Sequence, residues 1–212
     1  MGSRRAAAEI GGAAPEFAPH VKGLELPGYD PRSLHTMALG LAVGTRGADH
    51  NRSGAYEADF SERTDRRRGG AHSAALAIET EDRAAVMDSL ILCKFLRGVF
   101  RDFYAEAAAM LAAVTGWSVT VPELETLASR VVNARKCLNQ REGWTRAEDT
   151  LPARLLEPEE SGAASGSPRL SRQRLDTMIA AYYHERGWDA DGRVPSSLRQ
   201  KLNLDDPAFG DR

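Results

Sequence analysis

From about Ala74 to Leu138 the chain repeats apolar residues at three- and four-residue steps, the period of helices that bury one face. Val86, Leu90, Cys93 and Leu96 share a phase, and Phe100, Phe103, Ala107 and Leu111 continue it. Thr115-Gly116 interrupts the run. Thr120, ahead of Val121-Pro122, then has the character of an N-cap followed by a proline suited to a first helical turn. Leu124, Leu127, Val131 and Leu138 line one face of the helix that follows. A last stripe of Leu175, Met178, Ile179, Tyr182 and Tyr183 is stopped by Gly187, with a short "SSLRQKLNL" beyond it. Upstream, Leu34, Met37, Leu41 and Val43 predict a short helix ended by Gly44 and Gly47. No alternating strand pattern of useful length and no internal repeat is present. These patterns predict an all-α, irregular multi-helix domain.

Residues 1–15 are Gly/Ala-rich without periodicity, which predicts a loose, flexible N-terminus. Residues 16–212 then form one helical domain. Within it, "EPEESGAASGSPRLS" at 157–171 reads as a linker and "DFSERTDRRRGGAHSA" as a surface loop. A chain of 212 residues is long enough for one good core. Its formal charge of -2 offers no basic surface for nucleic acid or anionic membrane. No apolar run approaches spanning length, and the N-terminus lacks the apolar stretch of a secretory signal. Two cysteines are too few for a disulfide framework and point to a reducing cytoplasm.

Three places carry candidate chemistry. Cys93 lies five residues after Asp88 in "MDSLILCKFL". A free cysteine on a helical stripe is more often a small core residue than a ligand, and such an aspartate is more often solvated. Alternatively, Asp88 can accept strong hydrogen bonds from amine donors of a ligand. Cys137, on a helix that looks packed, reads as structural. The loop "TRGADHNRSGAYE" crowds Arg46, Asp49, His50, Asn51, Arg52, Tyr56 and Glu57 between glycines, a common setting for binding residues. His50 there could exchange protons or bond a carbonyl oxygen, although a lone histidine is more often structural. His20, His35, His72 and His184 read as structural. There is no Cys-x-x-Cys, no phosphate loop with its lysine and no Gly-x-Ser-x-Gly.

The blocks "HVKGLELPGYDPR", "GTRGADHNR", "DSLILCKF", "NQREGWTRAEDTLPARLL" and "YYHERGWDADGRVP" change this reading. In this order and spacing they resemble the C-terminal part of the tungsten-containing aldehyde:ferredoxin oxidoreductase family, from about Glu16 to Leu204. That family holds tungsten on two pterin dithiolenes beside a [4Fe-4S] cluster, each pterin bound by an Asp-x-x-Gly-Leu-Cys/Asp motif. "DSLILC" is similar to the second of these motifs. The resemblance implies that Asp88 bonds the pterin amines, that Leu92 packs on the pterin and that Cys93 is the fourth cluster ligand. It also implies that His50 assists at the substrate oxygen near tungsten. Ile91 stands where the motif often has glycine.

The family's first pterin motif and its first three cluster cysteines have no counterpart here, and a cluster commonly needs four thiolates. The resemblance therefore implies a C-terminal portion that acts with an N-terminal half supplied elsewhere. The whole would oxidise aldehydes to carboxylates and pass electrons to ferredoxin. Two rivals stand beside it. One is a tungsten benzoyl-CoA reductase-type subunit, which shares the fold and acts on an aromatic thioester. The other is a non-catalytic helical remnant or interaction module without cofactor.

Overall fold

The computed structural model describes residues 2–156 and 170–205. Among these, helices dominate, and the only strands are the two-residue β1 (His20–Val21) and β2 (Leu24–Glu25), paired antiparallel. The domain is all-α, as its periodicity predicts.

The helix at the centre is α5 (Ser73–Ser89), which packs against α2 (His35–Val43), α7 (Val121–Arg141) and α8 (Arg172–Arg186). All nine residues of α2 are buried. Such a helix must satisfy its leading N–H groups without water. Leu34 at its N-cap cannot do so, and Asp59 does it from 22 residues away or more, accepting from the backbone N–H of Thr36 at 3.1 Å and of Met37 at 2.8 Å. Gly40 allows the next turn of chain to approach, since a Cβ there would lie 2.8 Å from the Cβ of Ser53.

The expected stripe on α8 is the observed one: Leu175, Met178, Ile179, Tyr182 and Tyr183 are all buried. Gly187 ends α8 at φ 72°, a left-handed cap that glycine adopts without strain. Thr120 forms the anticipated N-cap of α7, with Glu123 reaching back to close a capping box. Buried charges pin the helices to one another. The Asp149 carboxylate receives Lys22 Nζ at 2.8 Å and Lys136 Nζ at 2.7 Å, and Arg186 reaches Glu81 at 2.6 Å and Asp82 at 2.7 Å.

Several expectations need correction. Residues 3–10 are helical, not loose: α1 (Ser3–Ile10) buries Ala7, and the Ser3 backbone N–H donates to Glu25. Leu138 is exposed on α7, whose buried face instead carries Leu124, Ala128, Val132, Lys136 and Cys137. The sequence stripe followed large aliphatic residues and missed a lysine whose ammonium is neutralised inside. The linker assigned to 157–171 lies outside the described residues up to 169; of its end, Leu170 is buried and Ser171 caps α8.

The largest correction concerns the long helical phase through Cys93. α5 stops at Ser89, a short 3-10 turn covers Lys94–Gly98, and a separate helix α6 (Phe103–Thr115) begins after Asp102. The stop is a Schellman motif: Leu92 N–H donates to Met87 O at 2.9 Å and Ile91 N–H to Asp88 O at 3.2 Å. Ile91 occupies its left-handed position at φ 57°, where a β-branched residue is an outlier. Nothing local announces a stop at an isoleucine, so periodicity ran through it.

Candidate functional site

The same motif decides where the candidate residues point. Met87 and Leu92, the two apolar partners that usually accompany such a cap, both join a small second core with Val86, Phe103, Ala107 and Leu124. Leu92 is half-buried there. With the chain turned at Ile91, Cys93 leaves the helical stripe and its thiol is exposed, whereas Cys137 is buried. Cys93 thus lies outside the core of this chain, whereas Cys137 is part of it.

Asp88 lies one residue from the C-terminus of α5, where the helix dipole disfavours a carboxylate. Two cations offset this: Arg52 Nη1 lies 3.2 Å and Arg135 Nη2 3.9 Å from Asp88 Oδ2. Even so, Oδ2 is shielded from solvent and no hydrogen bond of acceptable geometry reaches it. A shielded carboxylate oxygen without a hydrogen bond is costly, and a donor supplied by a ligand would relieve it. Lys94 follows Cys93, and burial lowers its amine below the ordinary lysine range against the pull of Asp88 and Glu57.

His50 starts α3 (His50–Ser53), a single turn capped by Asp49, whose carboxylate accepts from Asn51 N–H at 2.9 Å and Arg52 N–H at 3.2 Å. Arg46 holds Asp49 at 2.6 Å. The next turn, α4 (Tyr56–Asp59), brings Glu57 against Arg83 and within 3.8 Å of Arg97. Two ion pairs, Arg52 with Asp88 and Arg97 with Glu57, thus join the polar loop to the segment carrying Cys93. Of the candidate residues, Asp88 is the one tied directly to the His50 turn, through Arg52.

Sequence reasoning missed the residues that complete this region. Arg135 arrives from α7 and Arg97 pairs with Glu57 through tertiary packing, while Lys94 follows Cys93 directly at the start of the 3-10 turn. Tyr29, which the sequence offers only inside the block "HVKGLELPGYDPR", stacks its ring on Tyr56 at 5.6 Å and tilts it against His50 at 5.5 Å. Burial, with Glu57 beside it, raises the Tyr56 phenol above its usual range. A separate cavity of about 360 Å³ at the C-terminal end of α7, lined by Gln140, Trp144, Arg146 and Arg193, involves none of these groups.

Residues 1–204 match a family model described as aldehyde ferredoxin oxidoreductase, domains 2 and 3. Among curated relatives, the tungsten-containing aldehyde ferredoxin oxidoreductase of Thermococcus kodakarensis is 33% identical over 196 residues, covering 90% of this chain and 31% of that protein. The protein of the same description from Pyrococcus furiosus is 32% identical over 209 residues, covering 96% and 33% respectively. Among solved structures, the active-site complex BamBC of benzoyl coenzyme A reductase, in complex with 1,5-dienoyl-CoA, superposes with a TM-score of 0.71. That match has 16% identity and covers 95% of this chain and 35% of that one. The chain thus spans about a third of the length of the proteins it matches.

Proposed function

The chain belongs to the aldehyde ferredoxin oxidoreductase family, and on that premise we propose that it forms one wall of a tungstopterin and [4Fe-4S] site, the rest of which comes from the family's remaining two thirds. The observation that carries the proposal is the pairing of the unsatisfied Asp88 oxygen with an exposed thiol five residues on. The donor set fits one share of such a centre. An anionic oxygen without a hydrogen bond suits amine donors of a pterin ring, and a solvent-facing thiol suits one of the four thiolates an iron–sulfur cluster takes. Among the described residues no group of three or more His, Cys, Asp or Glu could hold a metal ion, and Cys137 is buried in the main core, so this reading assigns the other thiolates to the remaining protein.

In this reading Asp88 accepts the pterin amines, Leu92 contributes apolar surface and Cys93, as thiolate, ligates iron. Arg52 and Arg135 hold the Asp88 carboxylate in place. When bound, the tungsten centre supplies the two-electron chemistry at the substrate carbonyl and the cluster carries electrons out towards ferredoxin. His50, fixed at the start of α3 and wedged against Tyr29 and Tyr56, donates a hydrogen bond or a proton at the substrate oxygen. The reaction supported by the sequence relatives is oxidation of an aldehyde to a carboxylate. The fold match to the benzoyl coenzyme A reductase complex keeps reduction of an aromatic thioester as a second reading.

The test is metal analysis with a visible spectrum on this chain expressed anaerobically, with and without the other two thirds of a family protein. Tungsten and about four irons per complex, lost in Cys93→Ser and retained in Cys137→Ser, support the proposal. Metal-free protein in every sample leaves a helical module without cofactor. Assays with an aldehyde and with an aromatic thioester separate the two reactions.

A further inference from the structure

Residues 93–99 carry the exposed thiol, yet little of that segment packs on the domain. Cys93, Phe95, Leu96, Gly98 and Val99 are all exposed. The flanking Leu92 and Phe100 pack against the second core, which fixes the ends of the segment and not its middle. Between them only Lys94 and Arg97 are half-buried. Arg97 makes three directed contacts. Its Nη1 donates to the Lys94 carbonyl at 3.2 Å, its guanidinium carbon lies 5.5 Å from the centre of the Tyr56 ring, and its Nε lies 3.8 Å from Glu57 Oε1. The surfaces it grips are firm: Tyr56 is buried, and Glu57 is held in turn by Arg83 of α5.

From these contacts we infer that Arg97 is the positioning residue for Cys93: it clamps the turn that begins at Cys93 onto α4 and so sets where the thiol points. The Cys93 carbonyl accepts from Leu96 N–H at 2.9 Å inside the same turn, and the Lys94 carbonyl taken by Arg97 is the next along the chain. The pair with Glu57 is long and a third exposed on the arginine side, so screening leaves it weak and the planar contacts dominate. A guanidinium can lie against a ring and still donate in its own plane to a carbonyl, whereas an ammonium is a point charge without that fork. The same side chain braces Tyr56, against which His50 tilts at 5.6 Å, so the His50 turn and the Cys93 turn share one support. The consequence for a cluster rests on the reading of Cys93 as an iron ligand; the hold on the turn does not.

The test begins on this chain alone, by amide hydrogen exchange. Leu96 N–H donates to Cys93 O and Val99 N–H to Leu96 O at 3.0 Å, so their protection reports the turn directly. In Arg97→Gln both should exchange about tenfold faster, the scale of one lost charge-assisted hydrogen bond. Amides of α5 and α7 should keep their protection. Arg97→Lys should not restore the turn, because an ammonium cannot lie flat on Tyr56 and still reach the Lys94 carbonyl. Unchanged exchange at Leu96 and Val99, full rescue by lysine, or an equal loss across the whole domain each overturn the inference. With the remaining two thirds of a family protein, iron and sulfide, the EPR spectrum of the reduced cluster should differ between wild type and Arg97→Gln at equal iron content. An identical spectrum overturns the link from Arg97 to the cluster. If Cys93→Ser leaves cluster content unchanged, the cofactor reading falls, and the exchange data still decide whether Arg97 holds the turn.

Discussion

Arg52 stands between Asp49, 3.9 Å from its Nε, and Asp88, 3.2 Å from its Nη1. One side chain thereby connects the cap of the His50 turn to the end of α5. Without it, α3 would be a single turn held by its own cap and by Arg46, and Asp88 would rely on the more distant Arg135.

Replacing Arg52 with Gln should therefore loosen the loop more than it destabilises the fold. The ion pair is about a third exposed on each side, so screening limits its contribution to below about 1 kcal/mol. The melting temperature should hardly move, while amides of residues 49–54 should lose hydrogen-exchange protection relative to α5. A melting shift with unchanged local protection would show that Arg52 acts on the whole domain instead.

Ile91 gives a prediction of opposite sign. It is 92% exposed, so its side chain contributes no packing, yet its backbone sits at φ 57°. A non-glycine residue there costs roughly 1–2 kcal/mol, and glycine removes that cost at a smaller penalty in chain entropy. Ile91→Gly should raise unfolding stability by about 1 kcal/mol in chemical denaturation. A loss of stability would mean that Ile91 supports the cap through contacts its exposure does not suggest. The position where the family motif often carries glycine is thus the one whose backbone asks for it.

Acid titration should expose two buried groups at the start of α2 that oppose each other. His35 accepts from Gly69 N–H through Nδ1 at 3.1 Å and pairs with Arg32 O through Nε2 at 3.3 Å, a neutral tautomer, and burial lowers its pKa to about 4. Its contribution is present above the unfolded value of 6.5 and is lost as pH falls towards 4. Asp59 runs the other way: burial raises it to about 6, so its contribution is present below 3.8 and lost as pH rises through 6. Each shift corresponds to about 3 kcal/mol, so over pH 4–6 the two nearly cancel. In Asp59→Asn the cancellation disappears, and stability relative to wild type should climb between pH 4 and 6.5 by about that amount. Parallel curves for variant and wild type would remove the opposition.

The helices that could be read in the sequence are those with local punctuation: the Thr120 capping box, the Gly187 stop and the apolar stripe of α8 all lie within a few residues of what they control. What could not be read depends on distant partners. The cap of α2 comes from Asp59, the companions of Asp88 from α3 and α7, and the ring against His50 from a turn 21 residues earlier. The break at Ile91 was hidden for another reason, since the residue there contradicts its own backbone. Residue chemistry alone singled out Asp88, Cys93 and His50 as candidates, whereas the roles proposed for them came from the family pattern; spacing alone left Cys93 as a core thiol.

Thiol chemistry tests that last point on the chain by itself. The Cys93 thiol is exposed ahead of the 3-10 turn, and Cys137 is 3% exposed inside the main core. A maleimide should label Cys93 in the folded protein within the time of the reaction with a small free thiol. Cys137 should be labelled only at the rate of global unfolding, because α7 lies across the centre of the domain and opens with it. Mass spectrometry of peptides at successive times separates the two. Adding the remaining two thirds of a family protein, with iron and sulfide, should then protect Cys93 and leave Cys137 as slow as before. If Cys93 stays fully reactive in a complex that holds iron, another thiol occupies the cluster. If both cysteines label slowly in the isolated chain, the turn at Ile91 does not present the thiol as described.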